Sequence, residues 1–194
     1  MHFGRTAGRP PLKAYGVIVI DMLNDYLTST GASFSPAGRV IIPYIARLSD
    51  FVRKNGGSIF YVNTELARGD LLAERWGLHA VKGTIGARVV SELTPQPNDA
   101  VVTKKFYNGF FNTQLDRELR AKKIETVLLT GIHTHVCVLL TGVGAFEHGY
   151  RVVAPDDCFT TGYKANHESR LRFFGSHLGT LTTSTEWMAS ITAG

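Results

Sequence analysis

Short runs rich in Val, Ile and Leu alternate along this chain with longer stretches whose apolar residues recur at helical spacing. No other feature limits the fold as much. "YGVIVID" (15–21), "SIFYVNT" (58–64), "DAVVTK" (99–104), "ETVLLTG" (125–131) and "YRVVAPD" (150–156) read as strands, and "TLTT" (180–183) is a sixth candidate. The first is apolar without interruption until its terminal acid, as in strands covered on both faces. Helical patterns occupy 37–57, 112–124, 136–149 and 164–179, with a short one near "LLAERW" and a last one carrying Trp187 and Met188. Asn55-Gly56-Gly57 stops the first of these. Asn112 or Thr113 is placed to cap the second, and Ser184 or Thr185 the last. The alternation predicts a single-domain, three-layer α/β/α fold over 15–194, with a mostly parallel six-stranded sheet of Rossmann-like order 3-2-1-4-5-6.

Composition closes off several other classes. At 194 residues, 44% apolar and 19% charged, the chain suits one soluble globular domain with a sizeable core. The net charge of +5 is mild. Nucleic-acid binding asks for a dense basic stripe with interleaved aromatics, and none is seen. No apolar run approaches the roughly 18 residues that cross a bilayer. Arg5, Arg9 and Lys13 stand without an acid in a Gly- and Pro-rich segment, so residues 1–14 are read as a flexible or subunit-clasping arm rather than a signal peptide. Two cysteines, Cys137 and Cys158, are too few for a disulfide framework, which points to a reducing cytoplasm.

In a parallel sheet, ligands bind at the C-terminal strand edge. The polar residues there are Asp21 after the first run, Lys104 and Lys105 after the third, Asp156 and Asp157 after the fifth, and Cys137 shortly after the fourth. Cys137 is expected at a helix N-terminus, where free amides and a nearby Lys104 favour a thiolate. Asp21 is then a proton acceptor, and the helix start supplies donors for an oxyanion. Each residue has a plainer reading as well: a packing cysteine, a strand-end turn residue, a solvated lysine. A third possibility rests on the His133-x-His135-x-Cys137 spacing, which in a strand would present three metal ligands on one face. Gly131 and the apolar helix after it argue that the strand has ended by then.

Longer stretches add a resemblance. "VIVIDMLNDY" (17–26), "RWGLHAVKGTIGA" (75–87), "VVTKKFYNGFFNTQLDRELR" (101–120), "LLTGIHTHVCV" (128–138) and "GYRVVAPDDC" (149–158) together resemble the isochorismatase-like cysteine hydrolases, a superfamily that includes nicotinamidases and N-carbamoylsarcosine amidases. The likeness runs from about residue 15 to 183. It implies Asp21, Lys104 and Cys137 as a triad. It also implies a non-proline cis peptide after Ile132, with the amides of His133 and Cys137 as the oxyanion hole. A histidine at 133 departs from the small residue usual in relatives. Retention of Cys137 speaks against vinyl-ether hydrolysis of the isochorismatase kind.

The resulting expectation is a cysteine amidohydrolase without a cofactor, acting on a small amide, ureido or carbamoyl substrate and forming a homodimer or homotetramer, as family members usually do. Tyr26, Phe106, Tyr107, Phe110, His133 and His135 are expected to bind the substrate, and Asn24 to lie near it. Nicotinamidases carry a D-W-H metal motif after the second strand. Here "NTELARGD" (63–70) lacks the D-x-H pair and only His79 remains, so no metal site is expected. Glu65 and Asp70 are outside candidates for an ion contact. The rival readings are a nicotinamidase with unusual ligands and a non-catalytic binding relative.

Overall fold

The computed structural model describes residues 11–192. In chain order the elements are β1 (Tyr15–Ile20), α1 (Asn24–Leu27), α2 (Ala37–Val40), α3 (Ile42–Lys54), β2 (Ser58–Thr64), α4 (Leu71–Trp76), β3 (Ala100–Lys104), α5 (Leu115–Ala121), β4 (Thr126–Ile132), α6 (Leu139–Glu147), β5 (Arg151–Pro155), β6 (Phe159–Thr160), α7 (Lys164–Phe173), β7 (Gly179–Thr182) and α8 (Ser184–Thr192). The strands form one parallel sheet in the order β3-β2-β1-β4-β5-β7, and the two-residue β6 pairs with β4. The expected order holds, with "TLTT" supplying the far edge and β6 as an addition that no pattern in the sequence announced.

Burial on both faces explains the unbroken apolar runs. Along β1, Val17 and Val19 join a cluster with Ile45, Leu48 and Val52 of α3 and Trp187 of α8. Ile18 and Ile20 join a second cluster, with Leu115 and Leu119 of α5 and Ala145 of α6. Side chains of a strand alternate between faces, so every residue of β1 but Gly16 ends in one core or the other. β1 lies between β2 and β4, where the chain's progress across the sheet reverses. The C-terminal edge at this reversal is the place such sheets leave open for a ligand.

Several helices differ from the sequence expectation. The pattern over 112–124 yields only α5, with Gln114 rather than Asn112 or Thr113 at its cap position. The pattern over 37–57 is two helices rather than one, because Pro43 lacks an N–H and its ring crowds the carbonyl four residues back, so α2 ends before it and α3 carries it in its first turn. The last helix is capped one residue earlier than expected. Thr183 Oγ1 accepts from the Glu186 amide (3.1 Å) and Glu186 accepts from the Thr183 amide (3.1 Å), a reciprocal capping box. Of the N-terminal arm, residues 1–10 lie outside the described residues. Leu12–Ala14 form a 3-10 turn with Ala14 buried, and the Ala14 carbonyl accepts from the Glu125 amide.

Candidate active site

Three strand ends bring the expected trio together. β3 and β2 are in register at Lys104 and Thr64, and Ile20 of β1 lies opposite both Val62 and Gly131. Asp21 follows β1 in the left-handed region (φ 55°), which Asp tolerates better than most residues. That turn carries its carboxylate back toward β2 and β3. Asp21 Oδ1 accepts from the Thr64 amide (2.7 Å) and Oδ2 accepts from Lys104 Nζ (2.8 Å). Lys104 Nζ also donates to Thr64 Oγ1 (2.6 Å) and lies 3.6 Å from Cys137 Sγ. Asp21 and Lys104 are each only 2% exposed, so this ion pair is almost wholly buried.

On the β4 side, close approach requires Gly131. Its φ is 107°, and a Cβ there would collide with the Ile20 carbonyl oxygen. The Ile132–His133 peptide is cis. Thr134–Val138 then form a single wide π-turn that runs into α6, with His133 as its cap and its carbonyl accepting from Val136 and Val138. Cys137 therefore sits in the first turn of a helix, close to the expected position.

Its electrostatics differ from the expectation of a resting thiolate. Burial pushes the Cys137 thiol up to about 12, and the Asp21 carboxylate pushes the same way. The Lys104 ammonium opposes both without overcoming them. Burial disfavours the charge on Lys104 as well, but the facing Asp21 and Cys137 outweigh it, and its pKa is raised. Burial and the neighbouring Asp21 thus favour the neutral thiol of Cys137 beside the Lys104–Asp21 ion pair.

Above the trio opens a cavity of about 650 Å³ lined by Asp21, Cys137 and Thr64 at one end and by Tyr26, Trp76 and Tyr163 among its walls. Of the residues expected to bind substrate, Tyr26, Tyr107, His133 and His135 line it. Trp76 Nε1 donates to the Tyr107 hydroxyl (2.7 Å), which ties α4 to the loop after β3. Phe106 and Phe110 are not in the lining. Phe106 packs edge-on against Phe111, while Phe110 is buried against His148 and Tyr150 in the α5–α6 core. Asn24 also faces away from the trio, its side-chain amide donating to the Ile85 carbonyl (3.0 Å).

Thr64 is the residue that strand-end reasoning passed over. It ends β2 at the same edge as Asp21 and Lys104, and its amide and hydroxyl hold one of them each. The strand-edge rule applied to "SIFYVNT" would have found it. Its hydroxyl also interacts with Tyr26, whose phenol is held well above its ordinary pKa by burial and by the charge of Asp21.

The "RWGLHAVKGTIGA" segment is anchored by Asp25. One oxygen of that carboxylate accepts from the Ala80 amide (2.7 Å) and the other from Ala32 (3.3 Å), and a Cβ at Gly86 would overlap it. His79 is buried with its Nδ1 on the Gly77 carbonyl (2.7 Å), which orders the loop. Glu65 pairs with Lys82 and Asp70 with Lys105. Among the described residues no group of three His, Cys, Asp or Glu is placed to hold a metal ion.

A doubly wound sheet with a thiol, an ammonium and a carboxylate at its strand reversal defines a class of α/β proteins built around a cysteine centre. The Isochorismatase domain model matches residues 15–186, and the chain belongs to the isochorismatase family. The ureidoacrylate amidohydrolase RutB of Rhizobium rhizogenes is 33% identical over 167 residues, 73% of this chain and 68% of that protein. An isochorismatase-like hydrolase from Alkaliphilus metalliredigens superposes with a TM-score of 0.86 at 31% identity, covering 91% of this chain and 98% of that one. N-carbamoylsarcosine amidase from Thermoplasma acidophilum gives 0.80 at 29%, covering 88% and 96%.

Proposed function

We propose that the protein is a cysteine-dependent amidohydrolase that cleaves the C–N bond of a small amide, ureido or carbamoyl compound through a thioester, releasing ammonia or an amine. The observation that carries this reading is the position of Lys104 Nζ, 2.8 Å from Asp21 and 3.6 Å from Cys137 Sγ, at the end of a cavity sized for a small molecule. Two of the similar proteins are named for such bonds, one as an amidohydrolase of ureidoacrylate and one as an amidase of N-carbamoylsarcosine.

The neutral thiol sets the order of events. Cys137 Sγ bonds to the substrate carbonyl carbon while its proton passes to the Asp21 carboxylate. The carbonyl π pair moves to oxygen, which the amides of His133 and Cys137 receive. Asp21 returns the proton to the nitrogen, the C–N bond breaks, and a thioester remains from a carboxamide or a thiocarbamate from a ureido or carbamoyl substrate. Water then attacks this acyl carbon while Asp21 takes the water's proton, the C–S bond breaks, Asp21 gives that proton to the departing sulfur, and the carboxylic or carbamic acid leaves. Lys104 keeps its proton throughout, holds Asp21 in place and shields the charge that develops on sulfur.

The test is ammonia release from a panel of carboxamides, ureido acids and carbamoyl amino acids, with and without chelator. Turnover by the native protein that survives chelation and falls by a factor on the order of 10³ or more in Cys137→Ala supports the reading. Turnover unaffected by that substitution overturns it. Turnover lost with the chelator points instead to metal-assisted hydrolysis.

A further inference from the structure

The turn from His133 to Val138 carries Cys137 and both amides that the mechanism aims at the oxyanion, so whatever fastens this turn sets the geometry of the reaction. Its backbone closes on itself, the His133 carbonyl accepting from the amides of Val136 and Val138. Its side chains give it few ties to the rest of the fold. Val136 and Val138 are apolar, the buried Nδ1 atoms of His133 and His135 have no hydrogen-bond partner, and Cys137 bonds into the Lys104–Asp21 pair. Thr134 is the exception. It follows His133 directly, it is fully buried, and its Oγ1 lies 2.9 Å from Nδ1 of His167 on α7.

His167 is placed to hold that hydroxyl still. Its ring packs against Phe159 of β6, with centroids 5.9 Å apart, and Phe159 lies opposite Gly131 of β4. Its amide donates to the Tyr163 carbonyl (3.0 Å), and Tyr163 lines the cavity. One residue thus touches β6, the segment that forms a cavity wall, and the turn that carries the thiol. Apolar burial does little to seat α7, since no side chain from Lys164 to Phe173 is fully buried, and a directional bond counts for more there. Burial holds His167 below its ordinary pKa, against the pull of Asp156 and Glu168. A threonine hydroxyl both donates and accepts, so the contact is satisfied whichever ring nitrogen carries the proton.

We propose that His167 is a positioning residue for the hydrolysis: through Thr134 it fixes the turn that aims the His133 and Cys137 amides at the oxyanion. It touches neither the substrate nor the reacting atoms. The inference rests on the amidohydrolase reading and adds a residue which that reading does not use. Displaced donors weaken an interaction that is complete only when negative charge sits on the oxygen, so the cost falls on the transition state rather than on the bound substrate.

Steady-state kinetics on an amide that the native protein hydrolyses tests this. Thr134→Val keeps the branched shape of the side chain and removes the bond from one end. His167→Phe keeps an aromatic ring beside Phe159 and removes the bond from the other end. Each is expected to lower kcat by a factor on the order of 10 to 10², with KM within about twofold of native. The double variant is expected to lose no more than the worse single variant, because both changes break one bond. His167→Asn, whose amide stands where Nδ1 stood, is expected to recover most of the kcat that His167→Phe loses. Thermal unfolding checks that the variants are folded at the assay temperature. His167 is only half-buried, so its two variants decide the matter even if Thr134→Val does not fold. Native kcat in His167→Phe, a loss carried by KM alone, or His167→Asn as slow as His167→Phe would each overturn the positioning role. The amidohydrolase reading is judged apart. Turnover that depends on Cys137 but not on His167 leaves that reading standing and removes only this inference, whereas no ammonia from any amide removes both.

Discussion

Lys104 is the residue on which the centre turns, because its ammonium is buried and its charge is matched by Asp21 alone. Removing one partner of a buried pair leaves the other charged and unsolvated. Lys104→Met is therefore expected to cost about 3–5 kcal/mol, read as a lowered Tm, and to abolish turnover. Thr64→Val is subtler. It removes the hydroxyl that accepts from Lys104 but keeps the amide that donates to Asp21. A lost hydrogen bond to a buried charge costs about 1–3 kcal/mol, so kcat is expected to fall about tenfold with KM little changed, as steady-state kinetics on any turned-over amide will show. Cys137 should alkylate with iodoacetamide faster than the fully buried Cys158. Because burial raises its thiol to about 12, the thiolate fraction grows with every unit of pH across the neutral and mildly alkaline range. The labelling rate should rise in step, and a plateau near neutrality would contradict the neutral resting thiol.

At the level of elements, the site depends on turns that admit few substitutes. Gly131 allows β4 to run against β1 at Ile20, and the π-turn that presents Cys137 begins three residues later. Gly131→Ala places a methyl on a backbone carbonyl in a conformation that L residues avoid, so low soluble yield or a sharply reduced Tm is the expected outcome. The cap of α8 lies at the far edge of the sheet. Thr183→Ala removes one half of the box that starts this helix, for about 1 kcal/mol, and should leave amide turnover at the native level. Comparing Tm and activity for these two variants separates an element that shapes the site from one that only supports the domain.

For the whole molecule, a homodimer or homotetramer is the expected state. Between positions 71 and 85, Leu71, Trp76, Leu78 and Ile85 are all exposed, Trp76 by 63% and Ile85 by 71%, and Trp76 also lines the cavity. Exposed large apolar groups concentrated in one segment commonly mark an interface. Light scattering on the purified protein checks this, and a mass of one chain across the micromolar range would contradict it. Among the described residues no helix is long and apolar enough to cross a membrane.

Much of this architecture was legible in the order of residues, because strands buried on both faces leave unbroken apolar runs, and the polar residues just beyond those runs fall on the edge where ligands bind. Asp21, Lys104 and the neighbourhood of Cys137 could be read that way. The break before Pro43 is legible too, in the proline itself, although the helical spacing runs straight through it. Other features have no linear trace. "KKFYNGFF" does not say that Tyr107 turns to the cavity while Phe110 turns to the core, since that depends on where α5 and α6 lie against the sheet. The short β6 exists because β4 offers it an edge, and no periodicity survives in two residues. The protonation of Cys137 was likewise decided by tertiary structure, because a pKa is set by the sum of desolvation and charge around one atom, and residues from distant segments contribute to that sum.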